Sequence, residues 1–141
     1  MEDKLKEKKT FNANLKNVYP MLIWIGERIA KYFNQKEQEK IELACEEVFV
    51  NIVKHGYKNK VGTIHLEIIV NSVLEIIFVD SAKKFDIFTQ KKKINKKESL
   101  KDKKIGGLGI YLIFQTMDEV IYKRKPPHNI LKLIKKRSMS Y

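Results

Sequence analysis

The segment from Ile41 to Tyr57, IELACEEVFVNIVKHGY, constrains this chain more than any other. Ile41, Leu43, Ala44, Cys45, Val48, Phe49, Val50, Ile52 and Val53 make a helix built from it apolar almost all round. Such a helix belongs inside a domain. Glu47, Asn51 and His55 nevertheless fall at i, i+4 and i+8, one polar line along a single face. A carboxylate and an amide buried without partners each cost on the order of several kcal/mol. That face is therefore expected to line a ligand site, for a ligand that a carboxylate and an amide oxygen can both serve. The competing reading is a polar stripe at a partner interface. Cys45 is the only cysteine, which excludes an intrachain disulfide and a cysteine-cluster metal site. Inside so apolar a helix it is expected to be a packing residue.

The other elements follow from periodicity. Residues 2–9 and 137–141 are expected to be frayed, and Thr10 to Asn14 to form a short edge strand among lysines. Leu15, Val18, Leu22, Ile25, Ile29 and Phe33 mark an amphipathic helix with Pro20 in its first turn. A break at Gln35 to Gln38 precedes the apolar helix, and Gly56 is expected to stop it. TIHLEIIV (Thr63 to Val70) and VLEIIFVD (Val73 to Asp80) read as a hairpin turning at Asn71-Ser72, with His65 facing solvent. Residues 87–105 are long, polar and poor in apolar side chains, a composition that in a compact domain goes with a functional loop. A helix, IYLIFQTMD, follows, then a second hairpin from Glu119 to Lys125 and Asn129 to Lys136. With 141 residues, this order predicts one α+β domain, a two-layer α/β sandwich with helices on one face of the sheet. The sheet is expected to be mixed but mostly antiparallel, since the crossover helix permits one parallel pairing.

Two more stretches carry possible chemistry. Asp80 closes a strand where the loop SAKKFD begins, which suits either a plain turn or a site at a strand end. Gly106-Gly107-Leu108-Gly109-Ile110 leads into a helix. No G-K-[ST] follows, so it is not a Walker A loop. Side-chain-free backbone at a helix N-terminus does favour phosphate, although a hinge is the commoner use of a glycine-rich turn.

Together these stretches resemble the GHKL ATPase superfamily. E-x-x-x-N followed by H-G-Y looks like its N-box, and ELACEEVFVNIVKHGY is closest to the anti-sigma-factor serine kinases of bacterial partner-switching systems. Asp80 with Phe85-Asp86, the polar segment 87–105 and the glycine run then stand in the order of the family's Asp box, ATP lid and glycine box, across about residues 10–136. The resemblance implies the GHKL (Bergerat) fold, with ATP and Mg²⁺ as cofactors. It implies Glu47 as general base and Asn51 as metal ligand. It places Asn51, His55, Asp80, Ala82, Phe85, Lys104, Gly106, Gly107, Leu108, Gly109 and Ile110 around the nucleotide, with Asp80 accepting from the adenine amino group. Ala82 departs from the family, where a glycine is expected; if the position needs a positive φ, alanine costs on the order of 1 kcal/mol. The implied protein is a Mg-ATP-dependent serine/threonine kinase and anti-sigma factor that phosphorylates an anti-anti-sigma antagonist of the STAS type. A homodimer and a sigma-factor partner are implied as well.

The net charge of +12 is the compositional anomaly. It could serve nucleic acid, an anionic surface, or phosphates and acidic partners. Ten lysines fall between Lys83 and Lys104, beside the expected phosphate site, and the run from Lys91 to Lys104 has no interleaved aromatics for base stacking. Nucleic acid is therefore the weaker alternative. An ATP-binding switch without kinase turnover is the other. No apolar run approaches the roughly 20 residues that span a bilayer. The charged N-terminus has no signal-peptide core, so a cytoplasmic location is expected.

Overall fold

The computed structural model describes residues 4–89 and 105–137. The chain runs through β1 (Leu5–Asn12), a 3₁₀ turn (Leu15–Asn17), α1 (Val18–Ile29), α2 (Gln35–Asn51), a π-helical turn (Ile52–Gly56), β2 (Thr63–Val70) and β3 (Val73–Asp80). After the expected lid come α3 (Ile105–Thr116), β4 (Glu119–Lys125) and β5 (His128–Lys136). The sheet order is β1-β2-β3-β5-β4.

Every pairing in the sheet is antiparallel. The parallel pairing that the crossover permits does not form. The chain leaves β3, crosses through α3 and lands one place further out as β4; β5 then folds back into the gap. β3 and β4 do run the same way, but β5 lies between them.

The apolar alternation of the central strands sets the layers. Ile64, Leu66, Ile68 and Val70 of β2 and Leu74, Ile76 and Phe78 of β3 are all buried, as period-two strands with one covered face require. Leu131 and Leu133 continue the face on β5. Met21, Ile25 and Ile29 of α1, Ile41, Cys45, Val48 and Phe49 of α2, and Ile110 and Ile113 of α3 complete the same core. Among the described residues no helix is long and apolar enough to cross a membrane.

Several expected boundaries move. β1 starts at Leu5, inside the segment expected to fray, and pairs with β2 from Leu5↔Val70 to Asn12↔Thr63. Its backbone ladder carries it, because only Phe11 of LKEKKTFN is buried and no apolar alternation marks the strand. α2 starts at Gln35 rather than after Gln38, with Asn34 Oδ1 accepting from the Glu37 N–H at 2.8 Å. That cap satisfies one of the amides a helix start leaves free. α2 is also not covered all round: Leu43 is 45% exposed. It belongs to a helical layer with one side open to water. Gly56 does not end the helix by a left-handed conformation, since no described glycine has a positive φ. Lys58 (φ 54°) and Asn59 (φ 63°) turn the chain instead. Tyr57 then ties the turn to the sheet, its hydroxyl donating to the Thr63 carbonyl at 2.7 Å and accepting from the Ser81 N–H at 2.8 Å.

Candidate functional site

Asn51 is the last residue of α2 and is 4% exposed. Its Nδ2 donates to the Glu47 carbonyl one turn back at 2.7 Å. A backbone carbonyl only accepts, so the amide must turn its NH₂ towards it. Oδ1 is left on the other side, and no described residue donates to it. The helix itself thus presents an amide oxygen that has no donor among the described residues.

Immediately beyond, the helix widens. The Tyr57 N–H reaches the Ile52 carbonyl at 2.8 Å, an i→i+5 bond, and the turn is π-helical. Such turns occur often at functional sites. The widening separates residues that an α-helix would align. Asn51 is buried, Gly56 is buried, and His55 is exposed. His55 does not line the cavity described next; its ring stacks on Phe85 with centroids 5.7 Å apart and planes 10° from parallel.

A narrow cavity with about 30 Å³ of free volume lies between the end of α2 and the sheet. Val48, Asn51, Ile52 and Gly56 form one wall, and Asp80, Tyr122, Asn129 and Leu131 the other, with Phe85 and Ile87 beside them. A ligand the size of a nucleobase enters only as these side chains give way. Asp80 is there because it takes the inward position after Leu74, Ile76 and Phe78 on β3. Its Oδ1 accepts from the Ala82 N–H at 2.9 Å and from Asn129 Nδ2 at 2.8 Å. Burial pushes its pKa above the ordinary carboxylate value, against the hydrogen bonds from Asn129 and Ala82 and the charges of Arg124 and His128.

Glu47 stands apart from the cavity, facing α3. A Cβ on Gly109 would collide with its carboxylate, so the glycine is what lets α3 lie against α2 here. The Glu47 pKa is raised, first by burial and then by the neighbouring Glu46, while Lys54 acts the other way. A raised carboxylate pKa suits a group that must take up a proton near neutral pH.

The remaining expected residues divide. Gly106, Gly107 and Leu108 are within the first turn of α3 rather than in a loop before it. Ile110 is buried in the core and does not line the cavity. Ala82 is buried beside Gly56, outside the cavity lining; a Cβ on Gly56 would stand 3.0 Å from the Ala82 Cβ. Ala82 is not among the described residues of positive φ, so alanine carries no backbone penalty at this position. Lys104 and residues 90–103 of the expected lid are outside the described residues.

Tyr122, Arg124 and Asn129 were not singled out from sequence. Asn129 had a readable signal: it occupies an inward position of β5, where Leu131 and Leu133 stand further along. Among the described residues no group of three His, Cys, Asp or Glu side chains could hold a metal. The Asn51 oxygen does suit Mg²⁺, which prefers hard oxygen ligands and takes few from protein when phosphates and water supply the rest.

A family model for the histidine kinase-like ATPase domain matches residues 11–135. The serine-protein kinase RsbW of Staphylococcus aureus is 37% identical over 109 residues, which are 72% of this chain and 69% of that protein. The serine-protein kinases RsbW of S. aureus strains MSSA476 and MW2 are each 39% identical over 92 residues, 60% of this chain and 58% of theirs. The chain thus spans between 58% and 69% of the length of these relatives.

Proposed function

The chain belongs to the histidine kinase-like ATPase domain family, and from that premise we propose that it is an ATP-dependent serine-protein kinase acting as an anti-sigma factor. Its substrate is a serine on an anti-anti-sigma antagonist protein, and its second partner is a sigma factor. It works in the cytoplasm as a homodimer. The likeness to serine-protein kinases over most of the chain supports the activity. The observation that carries the site is Asn51: a buried amide whose NH₂ is held by the Glu47 carbonyl and whose oxygen no described residue uses.

In this reading ATP lies along the end of α2, with adenine at Asp80 and the phosphates towards the first turn of α3. Asp80 accepts from the adenine amino group. The free N–H groups and dipole of α3 favour the phosphates, and Gly106 and Gly107 add no side chain to its first turn. Asn51 Oδ1 would hold Mg²⁺, which when bound would supply charge neutralisation at the transferring group. Glu47, one turn from Asn51, takes the proton from the serine hydroxyl as its oxygen bonds to the γ-phosphorus and the bond to ADP breaks. Glu46 is set about 100° round the helix and is not placed for that role.

Nucleotide binding without turnover drew its support from Ala82, and with no positive φ at that residue the support is gone. The test of the kinase reading is incubation of the chain with radiolabelled ATP and a co-encoded antagonist candidate, followed by phosphoserine mapping. Label on one antagonist serine, dependent on Mg²⁺, is the expected result. Tight ATP binding with no transfer to any candidate would favour the switch without turnover.

A further inference from the structure

Asp80 and Asn129 stand directly opposite one another in the β3–β5 register, both at inward positions and both 5% exposed. Asn129 Nδ2 donates to Asp80 Oδ1 at 2.8 Å and lies 3.2 Å from the carbonyls of both Ala82 and Lys83. Its Oδ1 accepts from the Tyr122 hydroxyl at 2.6 Å. These partners fix the amide one way round. Flipping it would set Oδ1 against a carboxylate and two carbonyls, none of which can donate while Asp80 is ionised. Arg124 Nη1 adds a bond to the Ala82 carbonyl at 3.0 Å and holds the same loop.

The consequence falls on Asp80. Its Oδ1 is taken twice, by Asn129 and by the Ala82 N–H, and no described residue donates to Oδ2. We infer that Asn129, oriented by Tyr122, is the positioning residue that makes Asp80 select the base. With Oδ1 held, the carboxylate offers one acceptor at a set angle. An adenine amino group can donate to it. A guanine presents its O6 there, and two acceptors meet. The inference rests on the reading of Asp80 as the partner of the adenine amino group. Without Asn129 the carboxylate is free to turn. It is also readier to take a proton, because burial already raises its pKa and the Asn129 bond is the foremost of the groups opposing that rise, ahead of the Ala82 N–H, Arg124 and His128. A protonated Asp80 donates to O6, so discrimination relaxes instead of all binding weakening alike.

The experiment is calorimetric titration of the full chain with Mg-ATP and with Mg-GTP, for wild type, Asn129→Ala and Tyr122→Phe. Wild type is expected to prefer ATP. Asn129→Ala should lower the ATP-to-GTP affinity ratio by about tenfold or more, the scale of one buried hydrogen bond lost at a recognition site. Tyr122→Phe should lower it in the same direction by a smaller factor. An unchanged ratio in Asn129→Ala, even with both affinities reduced, makes Asn129 a structural residue and overturns the inference. If Asn129→Ala does not unfold cooperatively, Tyr122→Phe decides alone, and an unchanged ratio there is equally fatal. Wild type that binds neither nucleotide, or both alike, removes the reading of Asp80 itself and the inference with it.

Discussion

The carboxylate of Glu47 lies in the space that a Cβ on residue 109 would fill. α2 and α3 therefore meet at a point where one helix supplies the charged group and the other supplies nothing at all. The contact joins the N-box and the glycine run, which stand 62 positions apart in the sequence (109 − 47).

Gly109→Ala should push Glu47 out of place without opening the core. Phosphotransfer is expected to fall by about 10²-fold, the scale on which a misplacement of about 1 Å acts on a reacting group. ATP affinity should change much less, because the atoms nearest a Cβ on Gly109 belong to Glu47 and not to Asp80 or Asn51. Steady-state kinetics with calorimetry on the same preparation separates the two, and a variant that transfers phosphate at the wild-type rate would contradict the placement of Glu47.

Glu47→Gln keeps the shape and loses the proton acceptor. Transfer should drop by about 10²–10⁴-fold with ATP affinity held within a few-fold. The pH profile adds a signed check. In the proposed reaction Glu47 acts as the carboxylate, and its pKa is raised by burial and by Glu46. Activity should therefore be lost, as pH falls, at a higher pH than an ordinary glutamate would give. Glu46→Gln removes one of the two raising influences, so the acid limb should move to lower pH. A limb that stays in place would show that another group sets it.

Asn51→Ala should abolish most of the Mg²⁺-dependent part of ATP affinity. The fold should survive, since the bond lost is one side-chain contact to a carbonyl within the same helix. Asn51→Asp retains an oxygen but no donor, and sets a carboxylate against the Glu47 carbonyl. It is expected to bind Mg-ATP more weakly than wild type, although its charge is the better match for a cation. Titrations with and without Mg²⁺ measure both, and equal metal dependence in Asn51→Ala and wild type would exclude the residue as a ligand.

Ala82→Gly tests the departure from the family pattern. The residue is buried and not in the left-handed region, so glycine relieves nothing there. The variant should lose about 0.4–1 kcal/mol of stability through the greater freedom of its unfolded chain. Its ATP affinity should match wild type. Urea unfolding gives the first number and calorimetry the second; a gain in affinity would mean that the alanine does restrict the base site.

Local pattern determined most of the architecture. The alternation in TIHLEIIV and VLEIIFVD was enough to place β2 and β3 at their observed bounds, because a strand with one covered face repeats every two residues. The polar residues on the apolar helix marked Glu47 and Asn51 for the same kind of reason: buried polar groups are costly, so their presence signals a use. β1 was less legible, since an edge strand held by its ladder needs no apolar code. What the tertiary structure alone decided is how distant residues complete one another. The π-helical turn separated His55 from the Asn51 face, a backbone event that side-chain spacing does not record. Insertion of β5 between β3 and β4 brought Asn129 opposite Asp80, and the packing of α3 on α2 brought Gly109 against Glu47. Both contacts depend on strand order and helix approach, which are settled by burial of the whole core and by no single stretch of the chain.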